Sequence, residues 1–155
     1  MTAEEDTRHL LVSLLQGFYW FDEGLQNYLR ARGWPSVTRP QSMVMANVVV
    51  GVRRPSDIAR RLGVSRQAIH ATISQMVELG ILALVDDPTN GRVKLVALTP
   101  QGENMRQDAQ RAMLIMGDEL GLRIGKAHLA KAARLLNSDW GAPMSFSPDE
   151  VRRHD

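Results

Sequence analysis

The stretch that most constrains this chain is Pro55 to Gly80, PSDIARRLGVSRQAIHATISQMVELG. It holds two helical patterns around one break. Pro55 suits a first helical turn, where a missing N–H has no partner to lose, and Ile58, Ala59 and Leu62 then share one face. Gly63 supplies the left-handed backbone that ends a helix. Ser65 is placed to cap the next helix by accepting an N–H from its first turn. In that second helix Ile69, Ile73, Met76 and Val77 recur at three- and four-residue spacing and make the predicted buried stripe. Ser65, Arg66, Gln67, His70 and Ala71 are left on the outer face of the leading turns. A short helix, a glycine turn and a capped helix with polar groups at its front make the helix-turn-helix pattern, although the same residues also describe an ordinary helical hairpin in a core.

Residues 81–98 favour the helix-turn-helix. Ile81 to Val85 and Arg92 to Leu98 are rich in branched aliphatic residues, and the second run alternates. Between them DDPTNG is dense in turn formers, and Asn90-Gly91 predicts the tip of a hairpin. A helix-turn-helix joined directly to a β-hairpin is a winged helix. Upstream, residues 7–31 form a long helix with Leu10, Leu11, Leu14, Leu15, Phe18, Phe21, Leu25, Tyr28 and Leu29 at helical spacing. Tyr19 and Trp20 add apolar surface off that stripe, so this helix needs two partners: its own winged helix and a second subunit. Thr38 and Gln41 form a capping box that opens a helix through Met43, Val44 and Asn47. The run Val48 to Val52 is compatible with a short strand. Thr99-Pro100 opens another helix, Gly121 to Gly125 breaks the pattern, and Lys126 to Leu136 forms a last helix. From Asn137 onward Gly, Pro, Ser and charges predict a mobile tail, with Trp140 as a candidate anchor.

The predicted fold is therefore mainly α with a small β-hairpin. A winged helix-turn-helix (36–100) is flanked by an N-terminal dimerisation helix (1–33), C-terminal dimerisation helices (101–137) and a tail (138–155). The apolar fraction of 44% excludes a largely disordered chain. Without cysteine there are no disulfides, thiolate zinc sites or thiol switches. The start MTAEEDTRH is acidic and polar, and no apolar run approaches the ~18 residues of a membrane span, so a cytoplasmic protein without a membrane partner is expected. The histidines His9, His70, His128 and His154 have no metal-site spacing. A Gly-rich phosphate loop, a nucleophile elbow and a usable carboxylate pair are all lacking, so neither an enzyme nor a cofactor is expected. Charge is unevenly divided. Arg39, Arg53, Arg54, Arg60, Arg61 and Arg66 face Asp57 alone across residues 39–66, a balance of +5 on and before the helix-turn-helix. That is where phosphate contacts would be made.

In the order of its elements, and in the phrases DIARRLGVSRQAIHATISQMVELGIL and DDPTNGRVKLVALTPQGE, the chain resembles the MarR family of bacterial transcription regulators. Leu98-Thr99-Pro100-Gln101-Gly102 matches the ending of the family's wing, and the resemblance covers about residues 7 to 137. It departs at Asn90, where an Asp is common, and at Ala68 and Ala71, where larger polar residues are frequent. The resemblance implies a homodimer in which the first and last helices of two subunits interlock, set on a pseudo-palindromic double-stranded operator. It also implies a repressor, released by a small aromatic or amphipathic effector.

The candidate DNA contacts are Arg66 and Gln67, suited to guanine and adenine edges, and His70, suited to a purine N7 or phosphate. Ser65 adds a phosphate contact at the helix start. Two of Arg53, Arg54, Arg60 and Arg61 are expected on phosphate, and Asn90, Arg92 and Lys94 act from the wing. For Arg92 the alternative is a pair with Asp86 or Asp87. The expected interface residues are Leu11, Leu14, Phe18, Phe21, Met113, Met116, Leu129 and Leu136, and an effector pocket is expected at Trp20, Trp34 and Met43. The competing function is a winged helix that binds protein and does not read DNA.

Overall fold

The computed structural model describes residues 3–153, with side chains from residue 7 onward; His154 lies outside the described residues. The elements run α1 (Ala3–Ala31), α2 (Arg39–Val49), α3 (Pro55–Leu62), α4 (Arg66–Glu78), β1 (Leu82–Asp87), β2 (Asn90–Leu98), α5 (Pro100–Ile124), α6 (Lys126–Leu136) and α7 (Pro148–Arg152). They fall into two compact units, divided after Gly117 within α5.

In the first unit each element starts and stops for a local reason. The Thr38 capping box forms: its hydroxyl accepts from Gln41 N at 3.4 Å, and Gln41 Oε1 accepts from Thr38 N at 2.8 Å. α2 then runs through Val48 and Val49 until Gly51, at φ +88°, turns the chain. The aliphatic run is thus the end of a helix and not a strand, because Val44 and Val48 continue a helical face into the core. Val44, Ile58, Ile69, Ile73, Met76, Ile81, Leu82 and Val96 are buried in one cluster. Each such side chain contributes on the order of 1.5–3 kcal/mol relative to exposure. The stripe of α4 is narrower than its spacing predicts, since Val77 is 39% exposed.

The strands pair antiparallel from Leu82↔Leu98 to Asp86↔Lys94, and then Asp87 pairs with Asn90 across Pro88 and Thr89. The turn is therefore Pro88-Thr89, two residues before the predicted Asn90-Gly91 tip. Pro88 presets the turn's φ, whereas Gly91 adopts no positive φ. Gly91, Arg92 and Val93 lie between two paired positions of β2 with no residue opposite, forming a bulge. At the far end Thr99 stitches the hairpin to α5. Its hydroxyl meets the Gly80 and Ile81 carbonyls at 2.5 and 3.1 Å and accepts from Gly102 N at 2.9 Å. Gly102 sits so close to the Ile81 carbonyl that a Cβ there would collide with it.

In the second unit α5 continues through Gly121, and the break falls at Gly125 alone, at φ +93°. The segment after α6 is not wholly irregular: Ser147 and Glu150 form a capping box that starts α7. Trp140 remains 61% exposed, although its indole N–H reaches the Leu135 carbonyl at 3.2 Å. Among the described residues no helix is long and apolar enough to cross a membrane.

Candidate nucleic-acid interface

Gly63, at φ +64°, closes α3, and the Ser65 hydroxyl accepts from Ala68 N at 3.1 Å to open α4. That cap sets the helical register. With Ile69, Ile73 and Met76 turned inward, Arg66, Gln67, Ala68, His70 and Ala71 are exposed on the leading turns. Among the described residues the Arg66, Gln67 and His70 side chains make no internal hydrogen bond or ion pair, so all three keep their polar groups for a partner. Thr72 is spent inside the helix, donating to the Ala68 carbonyl at 3.0 Å.

The cations predicted to touch phosphate divide into two groups. Arg53 donates through Nε to the Val96 carbonyl at 3.0 Å, while its own carbonyl accepts from Val96 N at 2.8 Å. Arg54 Nη2 lies 2.8 Å from Asp87 Oδ2, Arg60 Nη2 lies 2.8 Å from Asp57 Oδ1, and Lys94 Nζ lies 2.5 Å from Asp86 Oδ1. Arg61, Arg66 and Arg92 are exposed and have no ion pair among the described residues. The alternative pairing of Arg92 with Asp86 or Asp87 does not form, because Lys94 and Arg54 take those carboxylates. Arg92 N instead donates to Asn90 Oδ1 at 3.3 Å inside the bulge.

Asp87 did not figure among the predicted site residues, yet the wing turns on it. Its carboxylate is only 6% exposed and accepts from Thr89 N at 2.9 Å, Thr89 Oγ1 at 2.7 Å and Arg54 Nη2 at 2.8 Å. The Thr89 hydroxyl, the Thr89 amide and the Arg54 guanidinium together hold its pKa down at about 2. The available signal was Asp-Pro-Thr, since an Asp two residues before a donor N–H closes a turn on itself. The carboxylate that fastens the turn is therefore Asp87, upstream of Asn90, and it holds Arg54 and Thr89.

A groove of about 660 Å³ opens beside the core, lined by Leu25, Gln26 and Leu29 of α1, Val37, Ser42, Met45, Ala46 and Val49 of the α2 region, and Met105, Arg106, Ala109, Gln110, Met113 and Leu114 of α5. The predicted effector residues are elsewhere. Trp34 turns its indole N–H to the buried Asp108 carboxylate at 2.8 Å, and Trp20 packs edge-on against Phe21 at 4.9 Å between centroids. Met43 is off the helical face that presents Ser42, Met45, Ala46 and Val49. Asp108 also receives Arg32 at 3.2 Å and Arg111 at 2.6 Å. Trp34 foremost, with these two arginines, holds its carboxyl below the usual range against burial. Of the predicted interface residues, Leu11, Phe18, Met113 and Leu136 are exposed, and Leu14, Phe21, Met116 and Leu129 are half-buried.

A capped helix with an uncommitted polar front, beside a hairpin carrying an unpaired arginine in a bulge, defines a winged helix-turn-helix protein. The sequence model of the MarR family matches residues 36–93. Solved structures extend the likeness over the rest of the fold. CouR from Rhodococcus jostii RHA1, bound to p-coumaroyl-CoA, is 18% identical over 94% of this chain and 100% of its own, with a TM-score of 0.64. The transcriptional regulator BldR from Sulfolobus solfataricus is 16% identical over 88% of this chain and 98% of its own, with a TM-score of 0.62. The PcaV transcriptional regulator from Streptomyces coelicolor, in complex with its natural ligand, is 22% identical over 88% and 92%, with a TM-score of 0.54. No curated protein matches the sequence.

Proposed function

We propose that this protein is a sequence-specific DNA-binding transcriptional regulator that works as a homodimer and represses from a pseudo-palindromic operator. The observation that carries this reading is the uncommitted state of Arg66, Gln67 and His70 on one exposed helix front, with Arg92 unpaired beside it. A core hairpin would bury or pair such groups. A protein-binding winged helix would have no need of them together. Selecting bound DNA from a random pool tests the reading: an inverted repeat should emerge, with affinity that falls steeply as salt rises. A pool that converges on no sequence, with binding insensitive to salt, would favour the protein-interaction alternative.

Release by a small molecule is supported by the groove, and the groove's chemistry narrows the ligand. Its one guanidinium, Arg106, is held in a two-pronged pair by Glu103, at 2.8 Å through Nε and 2.5 Å through Nη2. Gln26 is engaged with Ser42 at 2.7 Å. Gln110 is the polar lining group left over, so an uncharged aromatic or amphipathic molecule suits the groove better than a free carboxylate. Such a ligand would act only by binding one spacing of the two wings better than another. Titration followed by tryptophan emission and by operator affinity tests this, with an aromatic acid and its amide compared; tighter binding of the acid would overturn the ligand class.

A further inference from the structure

We propose that Asp87 and Arg54 form a latch that positions the wing, fixing the hairpin turn against the start of α3 so that Arg92 is aimed at the DNA flanking the recognition helix. This role rests on the DNA-binding function proposed for the chain.

Arg54 occupies the N-cap position of α3, where Ser, Thr, Asp or Asn would stabilise the helix, and its side chain makes no capping bond. The guanidinium instead crosses to a carboxylate 33 residues further on. Asp87 is buried and has a donor for each oxygen: Thr89 on Oδ1 through both its amide and its hydroxyl, and Arg54 on Oδ2. Removing one donor would leave a buried charge short of a partner, so the pair is held tightly once formed. The adjacent Arg53 exchanges two hydrogen bonds with Val96 on the inner strand. The hairpin is therefore held at two places, at Val96 and at its turn. The bulge of Gly91, Arg92 and Val93 lies between them. Two fixed points on a ribbon define its tilt, which a single point cannot do. Arg54 thus serves as a positioning residue whose charge is already neutralised, whereas among the predicted DNA contacts Arg53, Arg61, Arg66 and Arg92 have no carboxylate partner among the described residues.

The test uses the full-length chain on its selected operator, comparing wild type with Asp87→Asn, Arg54→Gln and Arg54→Lys, each with and without Arg92→Ala. In wild type Arg92→Ala should weaken binding at least about fivefold. In the Asp87→Asn and Arg54→Gln backgrounds it should add less than about twofold, because the side chain is no longer aimed. Hydroxyl-radical footprints of both latch variants should lose protection at the flanks and keep it over the half-site centres. Arg54→Lys, which retains a cation beside Asp87, should restore both. Arg54→Gln leaves the turn's own Asp87–Thr89 bonds in place, so its result stands even where Asp87→Asn folds poorly. Latch variants that keep flank protection and the full cost of Arg92→Ala overturn the proposal while leaving the DNA reading intact. A wild-type protein that selects no DNA overturns that reading, and the latch's role with it.

Discussion

Gln67 and Arg92 are both exposed and unpaired, and they should fail in different ways. Gln67→Ala removes a paired hydrogen-bonding group from the recognition helix, so it should change preference at one base pair by roughly 1–3 kcal/mol and leave the salt slope alone. Arg92→Ala should weaken every operator of similar flank shape and flatten the salt dependence by about one phosphate equivalent. Affinities on a panel of single-base operator variants at several salt concentrations separate the two. Asp87 carries a different signature. Its folded pKa of about 2 lies below the ordinary 3.8, so its contribution to stability is fully present above pH 4 or so and is lost as pH falls toward 2. Acid unfolding of Asp87→Asn should lack that limb, which thermal melts between these pH values would show. The exposed placement of Arg66, Gln67 and His70 was legible in the sequence because Ser65 fixes their register over one turn. The fates of Arg53, Arg54 and Lys94 were not, because each depends on a partner on the hairpin that periodicity cannot locate.

Elements are most legible where a terminus carries its own chemistry. Thr38 with Gln41, Gly63 with Ser65, and Thr99 with Pro100 all mark helix ends in the structure. Legibility is lost where chemistry and packing point apart. Val48 to Val52 looks like a strand by composition, but Val48 is needed in the core on a helical face. Gly121 looks like a breaker, yet each glycine inside a long helix costs only about 1 kcal/mol relative to Ala and α5 passes through it. Gly102 shows why the Leu98-to-Gly102 phrase ends as it does: α5 begins against the Ile81 carbonyl, leaving no room for a Cβ. Gly102→Ala should therefore destabilise the fold by about 1–3 kcal/mol, read as a lowered melting temperature. The same change at Gly17, which has open space around it, should not lower it.

For the whole molecule, the exposure of α1 sets the expectation. Leu11 is 78% exposed and Leu15 46%, with Phe18, Tyr19 and Trp20 each more than a third exposed along the same helix. A contiguous apolar face of this kind calls for a partner. Sedimentation at micromolar concentration should show a dimer, and charged substitutions at Leu11 and Phe18 together should yield monomers that bind the operator far more weakly. As a dimer the protein should prefer half-sites whose centres are about one helical turn, ~10 bp, apart. A monomer with full operator affinity would refute both expectations. The two bonds between Arg53 and Val96 carry one more consequence. A two-stranded hairpin by itself is marginal in water, but here its inner strand has a third chain segment beside it. The Val96 amide should therefore exchange its hydrogen for deuterium only when the surrounding core opens, while the amides of Gly91 to Val93 exchange through local fraying. On that expectation the root of the wing would stay paired while the bulge opens.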